Sequence, residues 1–335
     1  MIRPADHPAI RAPRVGVLLI NLGTPDAPEP VAVRRYLKQF LTDPRVIEIP
    51  KLVWWPILYG MVLRTRPAQS AHAYAQVWRE DGSPLAAITA AQARALQARF
   101  GESVTVDHAM RYGQPDIAAR LTAMKAAGCE RILLAPLYPQ YSASTTATAN
   151  DAAFTVLAGM RWQPAIRTLP PYYDDPLHVD ALARDLERQI AALDFIPDRL
   201  LLSFHGVPER TLRLGDPYHC QCQKTARLVA AKLNTPVAVS FQSRFGRAKW
   251  LEPSTEDVLT ALPGEGVGKL AIAAPGFSAD CLETLEELGL RGKETFEAAG
   301  GTHFARLDCL NTSDEGMAML DALIRRELAG WWPAA

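Results

Sequence analysis

The sequence predicts an α/β fold of two similar halves, each a four-stranded parallel sheet flanked by helices, with a cleft between them. Short runs rich in Val, Ile and Leu alternate with longer helical stretches, the order expected of a parallel sheet covered by helices. The halves also read as copies. The third strand of each ends in proline, Leu-Leu-Ala-Pro136 and Ile-Ala-Ala-Pro275, and a polar loop that opens a helix follows. Corresponding strands two to four lie about 130–140 residues apart. At 335 residues, 48% of them hydrophobic and 21% charged, the chain is long and apolar enough to bury two such sheets.

Strands are expected at residues 15–21, 104–110, 131–137 and 161–168, then at 199–205, 237–242, 269–274 and 303–307. Helices are expected at 84–100, 116–127, 176–193, 221–233, 281–299 and 313–328. The run Thr168-Leu-Pro-Pro-Tyr-Tyr173 breaks regular structure and divides the chain into domains at 12–168 and 169–330. A lid-like insertion at about 28–82 interrupts the first half and carries Trp54-Trp55.

Composition excludes several classes. Lys+Arg and Asp+Glu are both 36, so there is no basic stripe for nucleic acid. The first apolar run, from Val15 to Ile20, is a core strand and too short for a secretory h-region. The longest apolar patch, residues 52–63, is broken by Pro56 and falls short of a membrane span. Five cysteines, an odd number without a leader, fit reduced thiols and a cytoplasmic location. Trp54-Trp55 and Trp331-Trp332 leave peripheral contact with the inner membrane as a further expectation.

In doubly wound folds ligands bind beyond the carboxyl ends of the strands, so the residues just after each strand are the candidates. After strand one, Asn21-Leu-Gly23-Thr-Pro25 lacks the three glycines of a dinucleotide site, and no phosphate-binding lysine loop occurs, so no nucleotide is expected. Arg111-Tyr112-Gly113 and Tyr138-Pro-Gln-Tyr141-Ser142-Ala-Ser144 supply a guanidinium, phenols and hydroxyls at one cleft edge; turn chemistry and helix capping explain the hydroxyls equally well. Strand five runs straight into His205-Gly-Val-Pro208, a ligand or base near neutral pH, or else a loop histidine bonded to a carbonyl. Asp280, Glu283 and Glu287 fall along one helix face, and Asp280 with Glu283 also has the pattern of a capping box. Cys220-Gln-Cys222 is too tight for a zinc half-site.

At these residues the chain resembles the ferrochelatases of bacterial type, from about Val15 to Leu328. The resemblance is carried by Leu19-Ile-Asn21-Leu-Gly23-Thr-Pro25, Tyr36-Leu-Lys-Gln-Phe-Leu-Thr-Asp43, Gly82-Ser83-Pro84, Met110-Arg111-Tyr112, Leu137-Tyr138-Pro-Gln-Tyr-Ser-Ala-Ser, Ser203-Phe-His205-Gly-Val-Pro208, Gly215-Asp-Pro-Tyr218, Phe241-Gln-Ser-Arg-Phe-Gly246, Trp250-Leu-Glu-Pro253 and Gly276-Phe-Ser-Ala-Asp280-Cys-Leu-Glu283. It implies two Rossmann-like domains and insertion of Fe²⁺ into protoporphyrin IX, the last step of haem synthesis. It places the metal-facing catalytic pair on His205 and Glu283, with Glu287 on an acidic path behind. Porphyrin-contacting or supporting roles fall on Leu22, Arg111, Tyr112, Tyr138, Ser142, Trp250, Phe277 and Asp280. Arg64 or Arg66 offers a cation for the propionates.

The chain departs from some relatives. Cys281 stands where certain members carry a second histidine, and Ala143 where animal enzymes carry a cysteine of a [2Fe–2S] cluster, so no cluster of that type is expected and Fe²⁺ is substrate, not cofactor. Related readings are a chelatase for coproporphyrin III with iron or sirohydrochlorin with cobalt, and a non-catalytic porphyrin carrier. The chemistry favours catalysis. Two pyrrole protons must leave before a divalent ion enters, which calls for a base near working pH and a weak ligand set that releases the metal.

Overall fold

The computed structural model describes His7, residues 12–246 and residues 248–332. The first sheet holds β1 (Arg14–Gly23), β2 (Val104–Tyr112), β3 (Cys129–Pro136) and β4 (Ala165–Thr168) in the order β2-β1-β3-β4. The second holds β5 (Arg199–His205), β6 (Val237–Gln242), β7 (Lys269–Ala273) and β8 (His303–Arg306) in the order β6-β5-β7-β8. All neighbouring strands are parallel, and the two orders are the same winding repeated. The central strands explain why: β1 and β5 are apolar along both faces, which only a sheet covered on both sides can bury.

The covering helices are α4 (Pro84–Phe100), α5 (Ile117–Ala126), α7 (Pro176–Ala191), α9 (Tyr218–Ala230), α11 (Gly292–Ala298) and α12 (Asp314–Glu327), close to the expected ranges except for α11, which is only the second part of the helix expected at 281–299. Two further helices flank the sheets, α6 (Thr148–Ala158) and α10 (Thr255–Ala261), and α8 (Glu209–Arg213) is a short turn after β5. The insertion is mostly helical, with non-helical connections at 42–50 and 78–82. Its α1 (Pro30–Leu41), α2 (Lys51–Ile57) and α3 (Leu63–Val77) enclose a small core of their own with Trp54, Leu58, Tyr74 and Tyr112.

The halves are not separate cores. One apolar cluster joins Val17, Leu19 and Leu133 of the first sheet to Leu202, Phe204 and Ala273 of the second, across the expected 168/169 boundary. The C-terminal tail reinforces this. Trp332 meets the Phe100 ring at 5.4 Å, and the Arg325 guanidinium lies over both rings. Arg167 stacks on Trp331 at 4.3 Å. Both tail tryptophans are half-buried against the first half. Of the Trp54-Trp55 pair, Trp54 is turned inward, 7% exposed with Nε1 donating to the Leu41 carbonyl at 2.7 Å, whereas Trp55 is 46% exposed. No helix among the described residues is long and apolar enough to cross a membrane.

Candidate active site

His205 is the last residue of β5, half-buried where the strand emerges. A Cβ on Gly206 would come within 2.6 Å of the Gln242 carbonyl and 3.3 Å of the Trp250 ring, so only glycine lets the chain leave the strand here. The His205 Nδ1 lies 2.7 Å from the Gly206 carbonyl. A carbonyl only accepts, so that contact assigns the N–H to Nδ1 and leaves the Nε2 lone pair open. Phe277 stands beside the imidazole with ring centroids 6.5 Å apart. Trp250 packs beside Gly206, its Nε1 donating to the Phe245 carbonyl at 2.8 Å.

Opposite, the segment after β7 opens as a wide π-turn, Glu283–Arg291, before α11. Such turns are uncommon and recur at functional sites. The expected Asp280–Glu283 capping box does not form. Thr284 Oγ1 donates to Asp280 Oδ1 at 2.7 Å, and Arg306 and Asn311 donate to the same carboxylate at 3.0 and 2.6 Å. Asp280 is 4% exposed, so it is a buttress beneath the turn and not a group presented to the cleft. Cys281 is buried, and burial, then the Glu283 charge, push its thiol well up, so it cannot replace a histidine in proton transfer at neutral pH.

Glu283 and Glu287 remain half-buried on the turn. Glu287 accepts from the Ser243 N–H at 2.7 Å and its hydroxyl at 2.6 Å. Burial raises the Glu287 carboxyl above its ordinary value. The Ser243 hydrogen bond, His205 and Arg291 pull it down, and the Glu283 charge adds to the rise. The charges of His205, at the end of β5, and of Glu283, on the turn after β7, both reach the Glu287 carboxyl. Tyr36 and Tyr74 from the insertion face the Glu283 carboxylate: burial raises both phenols, and Glu283 adds to each.

The apolar wall comes from both halves. Leu22, just before the end of β1, and Phe277 pack against one small cluster of Leu85, Ile88, Ala279 and Cys281. Tyr138 has a buried hydroxyl with no partner among the described residues, and burial drives its pKa far up, so it stays a neutral phenol. Ser142 caps a π-turn, Ala143–Ala147, and reaches across to Asp216, whose carboxylate accepts from Ser142 Oγ at 3.2 Å and Ala143 N at 2.8 Å. Arg111 donates to Asp43, Thr148 Oγ1 and the Thr148 carbonyl. Tyr112 is fully buried in the insertion core with its hydroxyl on Asp43, so it supports the site without a face to offer a ligand. Arg66 stacks over Phe245 at 4.5 Å, spanning the insertion and the loop after β6.

Sequence reasoning did not single out Asp43, Asp216, Ser243, Tyr36 or Tyr74 as site residues. All but Tyr74 lie inside segments that carry the resemblance, and each acts through long-range hydrogen bonds or charge that spacing does not reveal. Cys220 is exposed on α9 while Cys222 is sealed in the main core. Among the described residues, no three or more His, Cys, Asp or Glu side chains are arranged to hold a metal ion.

The ferrochelatase family model matches residues 14–328. Ferrochelatase of Rhizobium meliloti is 53% identical, covering 97% of this chain and 98% of that one; ferrochelatase of Allorhizobium ampelinum is 51% identical over 98% and 97%. The structure of SirB from Bacillus subtilis with Fe³⁺ superposes with a TM-score of 0.58 over 95% of this chain and 97% of that one, at 13% identity, a likeness of fold alone. Near-complete coverage at such identity leaves no segment of the cleft outside the match, and the chain belongs to the ferrochelatase family.

Proposed function

We propose that this enzyme inserts Fe²⁺ into protoporphyrin IX, with His205 and Glu283 on opposite faces of the macrocycle. Ferrochelatases are metal chelatases of the lyase class that make haem from a porphyrin and Fe²⁺, so iron enters this argument as substrate. The single observation that supports the residue roles is that His205 and Glu283 both act on the Glu287 carboxyl from the end of β5 and the turn after β7. The free Nε2 of His205 accepts a pyrrole proton, because Nδ1 already serves the Gly206 carbonyl. Glu283 takes the second pyrrole proton and passes it to Glu287, whose raised carboxyl holds it readily, and the Glu283 carboxylate so freed meets the incoming cation. One imidazole and one carboxylate ligate Fe²⁺ weakly enough to give it up to four pyrrole nitrogens. Leu22, Phe277, Trp250 and Tyr138 wall the apolar disc and Arg111 meets its polar edge, while Ser142, buried on Asp216, supports the loop after β3.

The exposed side of the insertion gives this soluble-sized fold a surface for lipid. Leu52 is 92% exposed, Met61 59%, Val53 57% and Trp55 46%, and Lys51 and Lys38 lie near 6 Å above the Trp55 and Tyr59 rings. Apolar side chains, indole and amines side by side suit a peripheral seat on an anionic bilayer. The test of function is anaerobic incubation with Fe²⁺ and a panel of protoporphyrin IX, coproporphyrin III and sirohydrochlorin, following the porphyrin absorption bands. Turnover confined to coproporphyrin III would displace the proposed substrate, and stoichiometric binding without turnover would leave a carrier.

A further inference from the structure

The insertion is tied to the first sheet through one buried carboxylate. Asp43 follows α1 and is 7% exposed. Its Oδ2 accepts from Arg111 Nη2, from the Tyr112 hydroxyl at 2.8 Å and from Thr148 Oγ1 at 2.5 Å, while Oδ1 accepts from the Arg45 N–H at 2.7 Å. Thr148 closes the ring by accepting from Arg111 Nε at 2.7 Å on its hydroxyl and 3.0 Å on its carbonyl. The guanidinium is also held face-on to Tyr112, 4.5 Å from the ring centroid. Two of its three nitrogens are thereby fixed, and a flexible side chain is reduced to one orientation along a cavity of about 420 Å³ lined by Asp43, Arg111 and Thr148.

We infer that Asp43 is a positioning residue for the porphyrin, acting through Arg111 and coupling the insertion to the end of β2. This rests on the reading above that Arg111 meets the porphyrin edge. Asp43 is far in sequence from β2, and nothing in the chemistry at His205 needs it. Its four donors come from the end of β2, the start of α6 and its own loop, so three elements share one acceptor. Burial alone would push this carboxyl up; the hydrogen bonds of Thr148, Arg45 and Tyr112 and the Arg111 charge outweigh it and hold the group below its usual range. Asp43 thus stays an anion through the working pH range. Pre-organised donors bind more tightly because less side-chain freedom is lost on contact.

The test compares Asp43→Asn and Thr148→Val with Arg111→Ala and the unchanged enzyme, by fluorescence titration with protoporphyrin IX and by steady-state rates with Fe²⁺ varied. The porphyrin Kd is expected to rise about tenfold in Asp43→Asn and about threefold in Thr148→Val, with the KM for Fe²⁺ changed less than about twofold. A lower Tm with an unaltered porphyrin Kd in both variants would make Asp43 merely structural and overturn the proposal. Should Asp43→Asn fail to fold, an unaltered Kd in Thr148→Val has the same consequence. Unaltered affinity in Arg111→Ala would instead remove the reading of Arg111 as a porphyrin contact, and this inference with it.

Discussion

Both oxygens of the Glu287 carboxylate are taken by one residue, Ser243, whose N–H and hydroxyl donate at 2.7 and 2.6 Å. The acid sits on the turn after β7 and its donor on the loop after β6, so Glu287 is clamped between two strand ends. Burial still wins, and the carboxyl lies above its ordinary value. A carboxyl raised in the folded state holds its proton more tightly there than in the unfolded chain. Its stabilising effect is full below the unfolded glutamate value of about 4.3 and is lost as pH climbs through the raised folded value. Glu287→Gln removes that loss. Thermal unfolding between about pH 4 and 8 is expected to show Tm of the variant rising relative to the parent as pH increases. A constant gap across that range contradicts the assignment.

His205→Ala is expected to slow metal insertion by at least about a hundredfold, the usual yield of a positioned base. Porphyrin binding should stay nearly unchanged, because Phe277, Trp250 and Leu22 supply most of the apolar contact. Insertion rates and fluorescence titration on the same preparation separate the two. Near-normal insertion removes His205 from the chemistry.

The proposed pairing of His205 with Glu283 as the only metal ligands also predicts loose metal selectivity. Zn²⁺ stands above Fe²⁺ in affinity for nitrogen and oxygen ligands, so it should compete and be inserted. Zinc porphyrin is identified by its emission, and its complete absence at saturating Zn²⁺ would argue for a closed, selective cage at odds with the two-ligand site.

Much of this was legible in the chain, and the exceptions share a cause. Strands β5 and β6 and helix α4 fall where apolar runs and helical period place them, because local pattern and burial agree there. The place of His205 at the end of β5 was legible for the same reason. The segment after β7 was not. A stretch of helical period containing Glu283 gives no sign of the π-turn, and Asp280 looks like a cap until Arg306 and Asn311, distant in sequence, claim its oxygens. Asp43 stayed hidden likewise, because its partners Arg111 and Thr148 are brought to it only by the folded sheet.

The two adjacent tryptophans of the insertion separate core from surface most sharply. Trp54 is enclosed with Leu58, Val62 and Tyr74, and its indole N–H has a carbonyl partner. Trp54→Ala is therefore expected to cost about 3–5 kcal/mol, a cavity plus an orphaned acceptor. Trp55 packs outward beside Lys51, next to Leu52 and Val53. Trp55→Glu should change stability by no more than about 0.5 kcal/mol, since it breaks no buried contact. It should nevertheless weaken sedimentation with vesicles containing phosphatidylserine, as should Leu52→Glu, because each puts a carboxylate where the bilayer would receive an apolar group. Insertion rates in detergent serve as the control and should match the parent. If both glutamate variants sediment like the parent, this face does not seat on lipid and its apolar side chains serve the insertion alone.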